Sequence, residues 1–238
     1  MINLLSSQWL FSIIVMFISY LVSVMIAGVT QSKVAEKFGD STPSKLGYSS
    51  FNPLVYFDLL ATLFLFYFKA GVPVFVPFNT NNIDEPYKSL KTLILYLTDG
   101  TVNLIIALIC LTCSSLMYGL GNSLFFAGQM SCQSIFNLDL AATHLLSNFS
   151  SVNITIMSFL LTAFSLNMFM ASFSYIRNIF RYFLTTFFNE KYNSGEYSVI
   201  YTILLFIILF FFSNILRRCL FEVIIRSVLY IVSLIGIY

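Results

Sequence analysis

The chain has 238 residues, 58% of them hydrophobic and only 9% charged, with a formal net charge of +2 and a mean hydropathy of +0.88. Its 12 Lys and Arg and 10 Asp and Glu are too few to cover a soluble domain of this length, and so small a net charge excludes nucleic acid as a partner. Apolar runs of the roughly 20 residues that a bilayer core demands recur along the chain, which is the pattern of a polytopic membrane protein.

The first apolar run, Trp9 to Val29, is longer than the hydrophobic core of a signal peptide; residues 1–8 hold no Lys or Arg, and no small-x-small cleavage site precedes Lys33. It predicts a retained helix from about Trp9 to Ala35 whose last turns become polar at Gln31, Lys33 and Glu36. The polar stretch GDSTPSKLGYSSFNPLVYFD, Gly39 to Asp58, follows. Within it Gly47 suits a positive φ, Asp40 or Thr42 can cap a turn, and Asn52-Pro53 can start one, because proline holds the residue before it extended. Leu54 to Phe68 is apolar but short and leads into AGVPVFVPFN, where two prolines and three valines suit an extended or re-entrant segment.

Leu90 to Leu120 predicts a long helix, residues 121–151 a loop with some short helix, and Ile154 to about Leu184 another helix carrying Arg177 and Arg181 near its end. Tyr197–Ile215 and Leu220–Ile237 predict a final helix pair parted by Arg217 and Arg218. The expected fold is therefore an all-α polytopic membrane protein, a single integral-membrane domain over residues 1–238. It has about five to six transmembrane helices, with a re-entrant or β-hairpin segment between helix 1 and the next long helix. The early basic residues (Lys33, Lys37, Lys45, Lys69, Lys88 and Lys91) and the later Arg177, Arg181 and Lys191 fall on one side if residues 54–80 dip in and return, opposite the Lys- and Arg-free region 121–151.

One block of the polar stretch is specific. Ala35, Lys37, Gly39, Asp40, Thr42, Gly47, Tyr48, Asn52, Pro53, Tyr56, Asp58 and Thr62 match, or stand at the offsets of, an ungapped motif. In these residues the chain resembles the short bacterial-type site-2 proteases, the intramembrane zinc metalloproteases of the M50 family. Phe75-Val76-Pro77-Phe78-Asn79 resembles that family's Pro-Val-Pro-Val-Asn hairpin, and Asp99 to Asn103 stands where it has Gly-Pro-x-x-Asn, with Asp99 for Gly and Gly100 for Pro. The resemblance covers roughly residues 15–107, or a core of about 9–184 if hydropathy is followed, and leaves out the C-terminal helix pair of about 197–238.

The family's zinc is held by His-Glu-x-x-His on the first helix, two histidines on one face with a glutamate that polarises the metal-bound water. The same register puts Ala27, Gly28 and Gln31 at those positions, and Tyr56 where the family has a histidine after Asn-Pro. The third ligand, an aspartate of a later Asp-Gly pair, falls at Phe173 and Ser174. With His144 as the single histidine and no aspartate beyond Asp139, a site of two histidines and one aspartate cannot be assembled. The resemblance thus implies a pseudoprotease with no catalytic residue, no metal ligand and no cofactor, in which Asn52, Pro53, Tyr56, Asp58, Ala27, Gly28 and Gln31 are vestigial motif positions.

The expected role is that of an accessory subunit, with membrane lipids and other integral membrane proteins of a larger complex as partners. The bias to Phe, Tyr, Asn and Ile is that of AT-rich bacterial or organellar genomes, which suggests a bacterial or mitochondrial inner membrane. Two alternatives stay open: a transporter or channel component built on the polar residues Asp58, Asp99 and Asn103, and an active peptidase with a non-standard site. Cys110 and Cys113 have the spacing of a redox pair but lie within an apolar helix, where they read as small packing residues. Arg218, Glu222 and Arg226, spaced i, i+4 and i+8, read as a paired interfacial helix face.

Overall fold

A computed structural model describes residues 2–68, 70–132, 151–187 and 198–235. The chain forms α1 (Ile2–Lys37), a short α2 (Thr42–Lys45), a 3-10 turn at Pro53–Tyr56, α3 (Leu59–Phe68) and a second 3-10 turn at Thr80–Asn82. Then follow α4 (Lys88–Tyr118), α5 (Leu120–Cys132), α6 (Ser151–Phe187) and α7 (Ser198–Ile235). Among the described residues there is no strand. Among the described residues three helical stretches are long and apolar enough to cross a bilayer: Ile13–Lys37, Lys88–Tyr118 and Thr155–Tyr182. His144 and Lys191 lie outside the described residues, as does most of the expected loop over 121–151.

The core is organised around α6. From Leu161 to Ser174 every residue is buried, so this helix has no solvent- or lipid-facing side over that length, and its sequence is accordingly apolar or small all round. α4 runs antiparallel beside it: Tyr96 lies level with Tyr182, Gly100 against Tyr175, and Leu111 and Tyr118 with Met157 and Leu161. α1 joins the other flank through Ser23, whose hydroxyl accepts from Asn167 Nδ2 at 2.8 Å, and through Leu166 and Met170, which share a cluster with Met16, Tyr20 and Val24.

The C-terminal region differs from the expected helix pair of about 197–238. Ser198–Ile235 is one continuous helix with no break at Arg217-Arg218. No Gly or Pro lies between its ends, and Arg, Leu and Glu are good helix formers, so nothing in the local sequence stops propagation. Charge alone marked the expected boundary, and charge does not end a helix. Its later half packs Ile224, Val228 and Val232 onto α4 and α6. In the 121–151 region, residues 120–132 are helical, entered through Gly119 at φ +86° and fixed by a 2.9 Å contact between the Ser114 and Ser123 hydroxyls.

The polar stretch is a folded connector. Asp40 has no exposed surface, and its carboxylate gathers four donors: Thr42 N (3.1 Å) and Thr42 Oγ1 (2.5 Å) locally, then Asn79 N (2.7 Å) and Asn82 Nδ2 (3.0 Å) from across the chain. Gly39, at φ +101°, lets the backbone turn into this position, and a Cβ there would also strike the Asp84 carboxyl at 2.6 Å. Gly47 has the positive φ expected of it, +89°. Asn52 is extended and caps the next turn by accepting from Leu54 N at 3.1 Å.

Burial alone would raise the Asp40 carboxyl, but the four hydrogen bonds outweigh it and hold it below its ordinary value of 3.8. A depressed folded value stabilises above the unfolded pKa and is lost as pH falls through the folded one. Asp40→Ala is expected to cost about 1–3 kcal/mol near neutral pH, since buried donors lose their acceptor. In thermal melts the deficit should shrink as pH drops below about 4.

Candidate functional site

Residues 70–79, where an extended or re-entrant segment is expected, form neither helix nor strand and are pinned by side chains rather than by a ladder. Tyr20 OH donates to Val72 O at 2.9 Å, and Arg177 Nη1 to Pro73 O at 2.8 Å. The Arg181 guanidinium lies 3.8 Å from the centre of the Phe75 ring, and Asn79 N meets Asp40. The segment is thereby clamped to α1, to α6 and to the polar connector.

The positions that the resemblance assigns to zinc chemistry converge in part. Tyr56 is 0% exposed, and its ring lies directly on Gly28: a Cβ built there would fall 2.2 Å from Tyr56 Cε1. The phenol donates to Tyr48 O, and the two tyrosine rings meet edge-on with centroids 5.5 Å apart. Ala27 is buried beside Gly28 on α1, and buried Gln31 donates from Nε2 to Leu95 O of α4 at 3.0 Å. Phe173 packs with Ala70 and Phe169. Asp58 stands apart: it is exposed and caps α3, with Oδ1 accepting from Leu60 N (2.8 Å) and Ala61 N (3.1 Å). Among the described residues no three His, Cys, Asp or Glu side chains converge as metal ligands would.

A second cluster lies between α4 and α6. Asp99, 3% exposed, receives Arg177 Nη2 (2.9 Å) and Ser174 Oγ (2.5 Å) on Oδ2, and Asn103 Nδ2 (3.0 Å) on Oδ1. Asn178 donates to Tyr96 O at 2.7 Å and to Ser174 Oγ at 3.0 Å, and its own Oδ1 accepts from Arg177 Nε at 3.0 Å. Gly100 allows the close approach, since a Cβ would meet the Tyr175 ring at 2.9 Å. Both carboxylate oxygens are engaged and the pair is neutral, so the cluster's chemistry is that of a lock: it ties α4, α6 and the pinned segment together in a medium where an unpaired charge is costly.

Of the polar residues singled out from the sequence, Asp99 and Asn103 meet, and Asp58 takes no part. Sequence reasoning missed Arg177 as the partner of Asp99, and missed Ser174 and Asn178. Arg177 near its helix end marks sidedness, but a guanidinium in an apolar helix together with Asp99 in another also signals a pair. Cys110 and Cys113 are half-buried free thiols on α4. No family model, curated protein or solved structure matches the chain.

Proposed function

We propose that this chain is a catalytically inactive, site-2-protease-like membrane protein that serves as a structural or accessory subunit of a larger membrane assembly. The observation that carries the reading is Tyr56 against Gly28. In the register of the resemblance, Gly28 holds the place of the catalytic glutamate and Tyr56 that of a histidine, and here a tyrosine ring fills the space between them. Gln31, in a ligand's place, bonds to the Leu95 carbonyl instead. The polar connector serves the architecture without a metal: Asn52 and Asp58 cap the turns that follow them, and Asp40 ties Asn79 to the end of α1.

In this reading the segment around residues 54–80 is the re-entrant element, and α7 adds to the three apolar spans on the way to the five to six expected. Its setting is a bacterial or mitochondrial inner membrane. Purification from native membranes in mild detergent is expected to bring down other integral membrane chains in fixed stoichiometry, and an assay with transmembrane-helix substrates is expected to show no specific cleavage. A chain that purifies alone and cuts a helix at one site overturns the proposal.

The buried Asp99–Arg177 pair favours a second reading, a transport component with Asp99 in the path. Flux in reconstituted vesicles that is lost in Asp99→Asn supports that reading; flux unchanged by the substitution removes it.

A further inference from the structure

On α7 the residues Arg218, Glu222 and Arg226 form one line on the face turned away from the bundle, and all three are exposed. The expectation that they pair with one another is not met, since among the described residues the single ion pair is Arg177 with Asp99. Their level is fixed by packing. Phe221, adjacent to Glu222, has its ring 6.0 Å from that of Phe164, which lies about a third of the way along the apolar span Thr155–Tyr182. On the inner face Ile224 and Val228 pack into the cluster of α4 and α6. α7 has 38 residues and is about 57 Å long, more than a bilayer core requires. The charged line thus lies level with the apolar span of α6 on an outer surface, where lipid tails offer it no partner.

We propose that this face of α7 docks a transmembrane helix of another protein that carries two carboxylates about eight residues apart, one opposite Arg218 and one opposite Arg226. Eight residues on α7 separate the two guanidiniums by about 12 Å along the axis, a spacing that a neighbouring helix can match. Exposed Ile215 and Val223 beside the line supply apolar contact. The depth argues against a lipid headgroup, and the two arginines outnumber Glu222, so the complementary surface is acidic. A second copy of this chain does not offer one: Asp99 is buried and engaged, and Asp58 caps α3, which carries no second carboxylate. The inference rests on the reading of the chain as a subunit and names the surface that such a subunit would use.

The test uses the full chain in phosphatidylcholine vesicles with a fluorescent Leu/Ala transmembrane peptide bearing two glutamates eight residues apart, and its twin with glutamines. Energy transfer is expected to report binding of the glutamate peptide at least tenfold tighter than the twin. The preference should survive Arg218→Lys with Arg226→Lys and vanish in Arg218→Leu with Arg226→Leu. Equal binding of the two peptides overturns the docking surface, as does a preference that persists in the leucine variant. So does efficient Cys219–Cys219 disulfide formation between copies of the chain, since Cys219 is an exposed free thiol on the same face. If the peptide is ignored while native membranes still yield a stable complex, this surface is wrong and the subunit reading stands. If the chain purifies alone, the subunit reading itself fails.

Discussion

Arg177→Met is expected to destabilise the protein by about 3–5 kcal/mol, the largest effect of any single polar substitution in the described structure. The substitution leaves Asp99 buried with a full charge and only Ser174 and Asn103 as donors, and it frees Pro73 O from its 2.8 Å contact. Desolvation makes a buried ion pair a weak net stabiliser, so the loss comes from the unpaired charge that remains. It follows that Asp99→Asn in the Arg177→Met background should restore more than half of the deficit. Thermal melts in one detergent, across the four members of the cycle, give the coupling directly. Near-additive losses would show that the pair is not the lock described.

Gly28→Ala is expected to reverse sign according to what stands at position 56. In the native background the added methyl must displace the Tyr56 ring from 2.2 Å, an overpacking that costs about 1–3 kcal/mol even where a helix gains about 1 kcal/mol from alanine. Tyr56→Ala alone should cost about 3–5 kcal/mol by emptying a fully buried site. In that background Gly28→Ala should stabilise by up to about 1 kcal/mol, because the methyl then enters free space and the helix propensity is realised. If Gly28→Ala destabilises equally in both backgrounds, the ring contact is not what excludes a side chain at Gly28.

The long helices were legible because their signal is local and redundant: an apolar run of bilayer length specifies a helix wherever it packs. The turns of the connector were legible for the same reason. Gly47 needs its positive φ, and Asn52 before proline is held extended, whatever surrounds them. Asp40 was only half legible: its bond to Thr42 follows from a two-residue spacing, while those to Asn79 and Asn82 depend on a loop about forty residues away. That Asp99 pairs with a guanidinium was legible in principle from two charges in apolar helices, but the choice of Arg177 rather than Arg181 was not, since it is set by the antiparallel packing of α4 and α6. The charge pair Arg217-Arg218 makes no boundary, because helix ends are set by caps and breakers and none is present there.

The proposal that the connector and α1 keep a metalloprotease-like frame without its chemistry is tested most directly by zinc content per chain, measured on protein purified from native membranes without chelator. Far less than one zinc per chain is expected, unchanged in Tyr56→Phe. One tightly held zinc per chain, lost when Gln31 or Tyr56 is replaced by alanine, would contradict it.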